Sequence, residues 1–310
     1  MQEFNEKIVQ NLKKGNHYKE LLSYCMKYNH PEAYLQIAFC KQYGLGCKKN
    51  EKEAFFLYQK AAQGGIYEAK LALANCFLNG FGCEKNEDIA LQIYGKEAKI
   101  HPECLYYQAV VYERKDIKRA FLLYEKAARH HCSEALHRLG ELTEYGVGCK
   151  KDAKKAFLLY EKAYKMGNFD AAYHIGKMYE TGKCSGQNMK KAAYYYEESA
   201  QMGNANAMSH LARMYEYGVY FKENKVVAAN LYMAAMKMGS SDAPYCLARF
   251  YENGTIFTKD IHAAINLYRK SARMGNVFAK KRMAYFYENG IGVQKDILKA
   301  KELYHECEGI

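Results

Sequence analysis

Three cations spaced 36 residues apart are the side chains best suited to bind a partner: Lys177, Arg213 and Arg249. Four tyrosines accompany them in the same part of the chain: Tyr173, Tyr217, Tyr245 and Tyr285. A guanidinium group can pair with a carboxylate and stack on an aromatic ring, and Arg and Tyr are enriched at binding hot spots. We therefore predict that these seven residues bind a protein or peptide partner, for which an acidic, partly aromatic segment is the natural complement.

The histidines and cysteines could supply metal ligands. A cluster of His130, His131 and Cys132 with His137 nearby has the donor types that suit zinc or copper. However, His130 and His131 stand where exposed polar residues commonly end a helix. No CxxC pair occurs, so a structural zinc site has little support. We predict no metal site and no cofactor.

The sequence indicates neither disulfides nor a catalytic group. Cys40 and Cys47 repeat the spacing of Cys76 and Cys83, but eleven cysteines without a secretory signal favour reduced thiols. No local motif assembles a Ser/His/Asp or Cys/His catalytic group. We predict no catalytic residues and no enzymatic activity.

A repeated pattern positions all of these side chains. The pattern starts again every 36 residues, with shorter intervals of 35 and 31 residues around the third copy. We call its first residue repeat position 1, and it is Ala33, Ala69, Cys104, Ala135, Ala171, Ala207, Ala243 and Ala279. Position 26, allowing for five missing residues in the third copy, is tyrosine in all eight copies: Tyr58, Tyr94, Tyr124, Tyr160, Tyr196, Tyr232, Tyr268 and Tyr304. A period of this length is typical of repeat architectures.

Each copy predicts a pair of helices. Positions 1, 5 and 9 share one helical face, and positions 22, 26 and 30 share another. Glycine at position 12 can end the first helix, and Asp or Asn at position 18 can cap the second. Small residues at positions 6 and 22 let the backbones approach, and the tyrosine at position 26 fills the space beside them. We therefore expect these tyrosines to be structural, with buried rings and bonded hydroxyls.

The repeat resembles a known family. Ala135–Gly167 follows the pattern A-x3-L-[AG]-x2-Y-E-x-G-x-G-x3-D-x3-A-x3-Y-x-K-A-x3-G most clearly, and this pattern is similar to the Sel-one-like repeat (SLR) family, relatives of tetratricopeptide repeats. The resemblance covers residues 33–310 and implies an all-α fold, a right-handed α-solenoid of antiparallel helix pairs. It also implies a non-catalytic scaffold or adaptor that binds proteins. Residues 1–32 are expected to form a degenerate N-terminal half-repeat or cap.

Tetratricopeptide geometry, if it carries over, would place positions 3, 7, 10 and 11 in a concave groove. The seven predicted binding residues occupy positions 3, 7 and 11. Position 10 is glutamate in six copies: Glu113, Glu144, Glu180, Glu216, Glu252 and Glu288. These acids offer an alternative interpretation, in which they pair with the cations at position 7 and those cations have a structural role.

The net charge of +12 supports a second function. Lysine clusters are expected in the turns between helices and in the first helical turn that follows, along one edge of the solenoid: Lys48, Lys49, Lys150, Lys151, Lys154, Lys155, Lys190 and Lys191. Such an edge could bind nucleic acid or an anionic membrane surface, although no specific nucleic-acid motif accompanies it. A third alternative, a β-lactamase-like cysteine-rich repeat enzyme, is known in the resembled family, but this sequence lacks the S-x-x-K motif. With no signal peptide or transmembrane segment evident, we expect a cytoplasmic protein, and delivery into a host cell stays open, as does the oligomeric state.

Overall fold

The computed structural model describes residues 4–184 and 186–308, which form 18 α-helices and no strands. The chain divides into two compact units, one ending at Ala135 and the other beginning at Leu136. The first eight helices are α1 (Glu6–Lys14), α2 (Tyr18–Cys25), α3 (Pro31–Tyr43), α4 (Glu51–Gln63), α5 (Tyr67–Asn79), α6 (Glu87–Glu97), α7 (Cys104–Tyr112) and α8 (Ile117–Arg129). The others are α9 (Ser133–Tyr145), α10 (Ala153–Lys165), α11 (Phe169–Thr181), α12 (Met189–Gln201), α13 (Ala205–Tyr217), α14 (Lys225–Lys237), α15 (Asp242–Asn253), α16 (Ile261–Arg273), α17 (Val277–Asn289) and α18 (Ile297–Glu308).

Within each unit the helices pack in chain order, each against the next. This is the arrangement of a solenoid of helix pairs, in which one repeat buries its apolar stripe against its neighbours. The predicted all-α solenoid is confirmed. The segment predicted to be an N-terminal cap contains two short helices, α1 and α2, and Leu21, Leu22 and Cys25 of α2 are buried with Ala33 and Ile37 of α3.

The predicted helix ends are confirmed. The Asp or Asn at position 18 accepts a hydrogen bond from the backbone N–H three residues on, at 2.9–3.1 Å, in all eight copies. The position-12 glycine adopts a left-handed conformation in the seven copies that have it, as at Gly218 with φ +67°. An L side chain is strained there, so glycine is the favoured end for the first helix.

The position-26 tyrosines form the centre of each helix pair. Seven of them are buried to 2% exposure or less, and only Tyr304 in α18 is half-buried. Each phenol hydroxyl donates a hydrogen bond to a side chain of the preceding helix, and in six copies the acceptor is the position-10 glutamate: Glu113, Glu144, Glu180, Glu216, Glu252 and Glu288. In the first two copies the acceptors are Gln42 and Asn75. The tyrosine rings are thus enclosed by their helix pairs, whereas among the six glutamates Glu144 and Glu216 are buried and Glu288 is exposed.

Position 6 lies directly against the tyrosine ring. It is a fully buried alanine in six copies but glycine at Gly140 and Gly176. A Cβ at Gly176 would lie 2.8 Å from Cδ1 of Tyr196, and one at Gly140 would lie 2.5 Å from Cε1 of Tyr160. At these two positions glycine leaves the space that the tyrosine ring occupies.

All eleven cysteines are free thiols in the structure. Cys47 Sγ donates to the carbonyl of Cys40 at 3.7 Å instead of forming a bond with its sulfur. Burial raises the pKa of Cys40 to about 11 and that of Cys76 to about 12. Neither thiol is therefore poised as a nucleophile at neutral pH.

Candidate partner-binding surface

The predicted cations all lie in the second unit, and two of them contact the glutamate of the preceding repeat. Arg213 Nη2 lies 3.2 Å from Glu180, and Arg249 Nη2 lies 3.3 Å from Glu216. Lys177 instead donates to the hydroxyl of Tyr145 at 3.3 Å. The sequence left open that the position-10 acids pair with the position-7 cations. This pairing is observed for two of the three cations.

The ion pairs are built around a buried acid. Burial by itself raises the pKa of Glu180, but hydrogen bonds from His210 and Tyr196 and the charge of Arg213 lower the pKa to about 2. Tyr196 donates to this carboxylate at 2.6 Å, and His210 Nδ1 lies 2.8 Å from it. The carboxylate is therefore fixed as an anion, and it holds the guanidinium of Arg213 in place.

Pairing with Glu180 occupies only part of the Arg213 guanidinium. The contacts of Arg213 within the described residues, to Glu180 and His210, both use Nη2. A guanidinium carries five N–H donors, so donors remain on Nη1 and Nε for a ligand. The side chain of Arg213 is 48% exposed and that of Arg249 is 32% exposed.

A cavity of about 200 Å³ brings three of the seven predicted residues together. Arg213, Tyr245 and Arg249 line it, with the ring of Phe278 beside them. Arg249 also lines a neighbouring cavity of about 260 Å³ together with Tyr217. Arg249 is therefore the residue common to both openings.

The other predicted residues lie apart from these cavities. Tyr173 is half-buried and packs against Tyr196 and His210, with ring centroids 6.1 and 5.5 Å away. Tyr285 is 39% exposed and lies under the guanidinium of Arg282, 4.7 Å from its ring centroid. Neither these two tyrosines nor Lys177 lines either cavity.

Repeat position 4 carries polar side chains beside the predicted cations that the sequence did not single out. His210 and Arg282 at this position contact Glu180 and Glu252 of the preceding repeats. The signal was a polar residue at this position in consecutive copies, four residues along the helix from the core residue at position 8.

The histidines and cysteine considered as metal ligands in the sequence do not come together as a group. His130 and His131 are exposed, and Cys132 Sγ donates to Glu134. Among the described residues, the group with ligand atoms close enough for one metal ion is His137, Glu141 and His174. It shares only His137 with the cluster that the sequence offered.

All eight of these lysines are exposed. Lys48, Lys49, Lys150 and Lys151 lie in turns, whereas Lys154 and Lys155 lie in the first turn of α10 and Lys190 and Lys191 in the first turn of α12. Lys49 pairs with Glu51 at 2.6 Å, and Lys191 lies 5.0 Å from the ring centroid of Tyr179. These lysines are solvated, and Lys49 and Lys191 are held by local contacts.

The fold and this surface define a repeat protein of the helix-pair solenoid class. Eight copies of the Sel1 repeat match the chain, at residues 31–66, 68–96, 103–131, 133–168, 169–204, 205–240, 241–276 and 277–306. The chain belongs to the Sel1 repeat family, in agreement with the resemblance drawn from the sequence. No curated protein sequence matches it significantly.

Solved structures of the same family are similar to this chain. A protective antigen of uropathogenic Escherichia coli, described as displaying an SLR fold, is 25% identical with a TM-score of 0.60 over 94% of this chain and 64% of that protein. A Sel1 repeat protein from Oxalobacter formigenes is 22% identical with a TM-score of 0.59, over 97% of this chain and 86% of the other. Yeast Tom70 shares the fold at 17% identity and a TM-score of 0.53, over 96% of this chain and 63% of that one. This chain thus spans less than two thirds of the length of the Escherichia coli protein.

Membrane insertion through a helix finds no support in the described residues. None of their helices is both long and apolar enough to cross a bilayer.

Proposed function

We propose that this protein is a non-catalytic adaptor that binds an acidic, partly aromatic segment of a partner protein through the second unit. Membership in the Sel1 repeat family supports a protein-interaction scaffold in general terms. The observation that carries the finer proposal is the cavity lined by Arg213, Tyr245 and Arg249.

The chemistry of this cavity favours a carboxylate-bearing ligand. Arg213 pairs with Glu180 and Arg249 pairs with Glu216, so the remaining N–H donors of both guanidinium groups are already oriented before a ligand binds. Pre-organised donors lose less entropy on binding, and a guanidinium matches a carboxylate in a two-pronged geometry. Tyr245 and Phe278 supply an aromatic wall for an apolar or aromatic neighbour of the acid. Lys177, Tyr173, Tyr217 and Tyr285 are proposed as outer contacts of the same partner.

The test compares peptide binding by two sets of matched variants. Peptides selected against the wild-type protein from a random displayed library should be enriched in Asp or Glu beside Phe or Tyr. The double variant Arg213→Gln/Arg249→Gln should lose their binding, measured by fluorescence anisotropy. Glutamine is preferred to glutamate because Glu216 is only 4% exposed, and a second carboxylate at position 249 would destabilise the fold rather than report on binding.

The control variant removes three positive charges from the lysine cluster, one more than the arginine variant removes. Lys150→Gln/Lys151→Gln/Lys154→Gln changes three exposed residues and should leave peptide affinity within about twofold. If the edge variant loses the selected peptides while the arginine variant keeps them, the arginine site is refuted. Binding that instead follows RNA or anionic vesicles and falls steeply with salt would establish the basic-edge alternative.

A further inference from the structure

Three potential metal ligands converge in the second unit, away from the arginine cavity. His137 and Glu141 stand four residues apart in α9 and therefore share one helical face. His174 reaches the same place from α11, with its ring centroid 5.2 Å from that of His137. One ligand atom from each of the three side chains lies within 4.8 Å of the other two.

Two nitrogens of this group have no hydrogen-bond partner. His137 Nε2 and His174 Nδ1 are buried and unpaired within the described residues. His174 is only 9% exposed, and its Nδ1 lies 3.7 Å from Glu144, beyond hydrogen-bond distance. Its Nε2 lies 3.6 Å from Glu141. A buried polar atom without a partner costs about 1–3 kcal/mol, so a ligand that supplied a partner to His137 Nε2 would stabilise the fold.

In the next repeat the histidine at the same position has a hydrogen-bond partner. His210 occupies the position of His174 one copy later, and its Nδ1 contacts Glu180 at 2.8 Å. The equivalents of His137 and Glu141 in that copy are Tyr173 and Lys177, neither of which is suited to bind a divalent cation. The group of two histidines and one carboxylate is thus a local departure from the repeat.

We propose that His137, Glu141 and His174 bind one divalent transition-metal ion, with Zn²⁺ as the ion that fits them best. Two imidazole nitrogens and one carboxylate oxygen are a donor set that zinc accepts in tetrahedral geometry, with a fourth position left for water. Zn–N and Zn–O distances of about 2.0–2.2 Å require the three ligand atoms to close by small side-chain rotations. The Nε2 of His174 faces Glu141 and would be the ligand atom from that ring, and coordination would give the buried His137 Nε2 a partner.

Neighbouring side chains already hold two of the ligands in position. Arg138 donates to one oxygen of Glu141 at 2.7 Å, while the other oxygen faces His174. The ring of Tyr160 stacks on His174 at 4.6 Å, with 14° between the planes. Partners of this kind fix the orientation of metal ligands. Bound zinc would tie α9 to α11, two helices of consecutive repeats, and so stabilise the folded unit.

The test titrates metal into the 310-residue protein after chelator treatment and dialysis. Calorimetry with Zn²⁺ should show one high-affinity site, and the melting midpoint should rise with added Zn²⁺. Co²⁺ should give the visible absorption of a tetrahedral site without a thiolate-to-metal charge-transfer band, which separates this site from the eleven cysteines. His137→Gln and Glu141→Gln should each weaken binding at least about tenfold, or about 1.4 kcal/mol.

His210→Gln is the matched control and should leave Zn²⁺ affinity unchanged, because His210 serves the equivalent position without the other two ligands. His137 is half-buried, so its variant decides the test if His174→Gln fails to fold. Equal affinity in wild type and His137→Gln, or a thiolate band in the Co²⁺ spectrum of the high-affinity site, would overturn the proposal.

Discussion

Replacing Gly176 by alanine should destabilise the protein, although the same exchange in a helix ordinarily stabilises it. Ala gains about 1 kcal/mol over Gly in a helix interior. Here the new methyl would lie 2.8 and 2.9 Å from two ring carbons of Tyr196 and 3.2 Å from the carbonyl oxygen of Ala192. Optimal carbon–carbon contacts are about 3.5–4.0 Å, so the ring would have to move.

The ring has no room to move. Tyr196 is 0% exposed, and His210 packs on it at 4.8 Å between ring centroids. Overpacking of this kind costs about 1–3 kcal/mol, which exceeds the helical gain. We expect a net loss of about 1 kcal/mol and a melting midpoint lower by about 2–4 °C, measured by circular dichroism.

The repeat supplies the reverse exchange as a control. Ala212 is the position-6 residue of the next copy and is fully buried. Ala212→Gly should also lower the midpoint, because helix propensity and packing are both lost. A double-mutant cycle of Gly176→Ala with His210→Ala should show a favourable coupling, since removing the imidazole gives the ring space. A higher melting midpoint for Gly176→Ala would refute the explanation that the ring of Tyr196 needs the space beside Gly176.

Two further predictions concern the tyrosine–glutamate pairs. Tyr160→Ala should cost about 3–5 kcal/mol in chemical denaturation, as truncation of a buried aromatic residue does, whereas the half-buried Tyr304 should cost clearly less; similar losses at both sites would argue against the burial difference. The pKa of Glu180 is lowered from 4.5 to about 2 in the folded protein, so its stabilisation is present above about pH 4.5 and is lost as the pH falls toward 2. We expect this carboxylate to contribute on the order of 3 kcal/mol of acid-dependent stability. Unfolding free energies across this pH range should therefore fall less in Glu180→Gln than in wild type, and identical slopes would contradict the assignment.

The sequence predicted the helix pairs well because their determinants are local and repeated. A glycine with positive φ, a capping Asp or Asn and a tyrosine one turn beyond an alanine each act within a single repeat, and eight copies make them unmistakable. The hydrogen-bond acceptor of the tyrosine hydroxyl was harder to predict from the sequence. Glu180 lies on the edge between the buried and exposed faces of α11, so periodicity alone placed it in the groove, while the structure shows it accepting from Tyr196.

The sites made by two repeats were the least predictable. His137 was recognised as a potential ligand but grouped with residues near it in the chain, whereas its neighbour in space is His174, 37 residues away. The useful signal was the His–Glu spacing of four residues in α9, combined with a histidine at position 4 of the next copy. Which positions of successive copies meet depends on how the helix pairs stack, and one repeat taken alone does not contain that information.

The contacts between successive repeats in the second unit have a direction, and this bears on how the array can evolve. At Glu180–Arg213, Glu216–Arg249 and Glu252–Arg282 the acid belongs to the earlier repeat and the cation to the later one. A repeat with glutamate at position 10 and a cation at position 4 or 7 can therefore follow, or be followed by, any other of the same kind. Adding or removing one whole 36-residue copy here would keep an acid opposite a cation at each junction, whereas an insertion out of register would separate the glutamate from its cation.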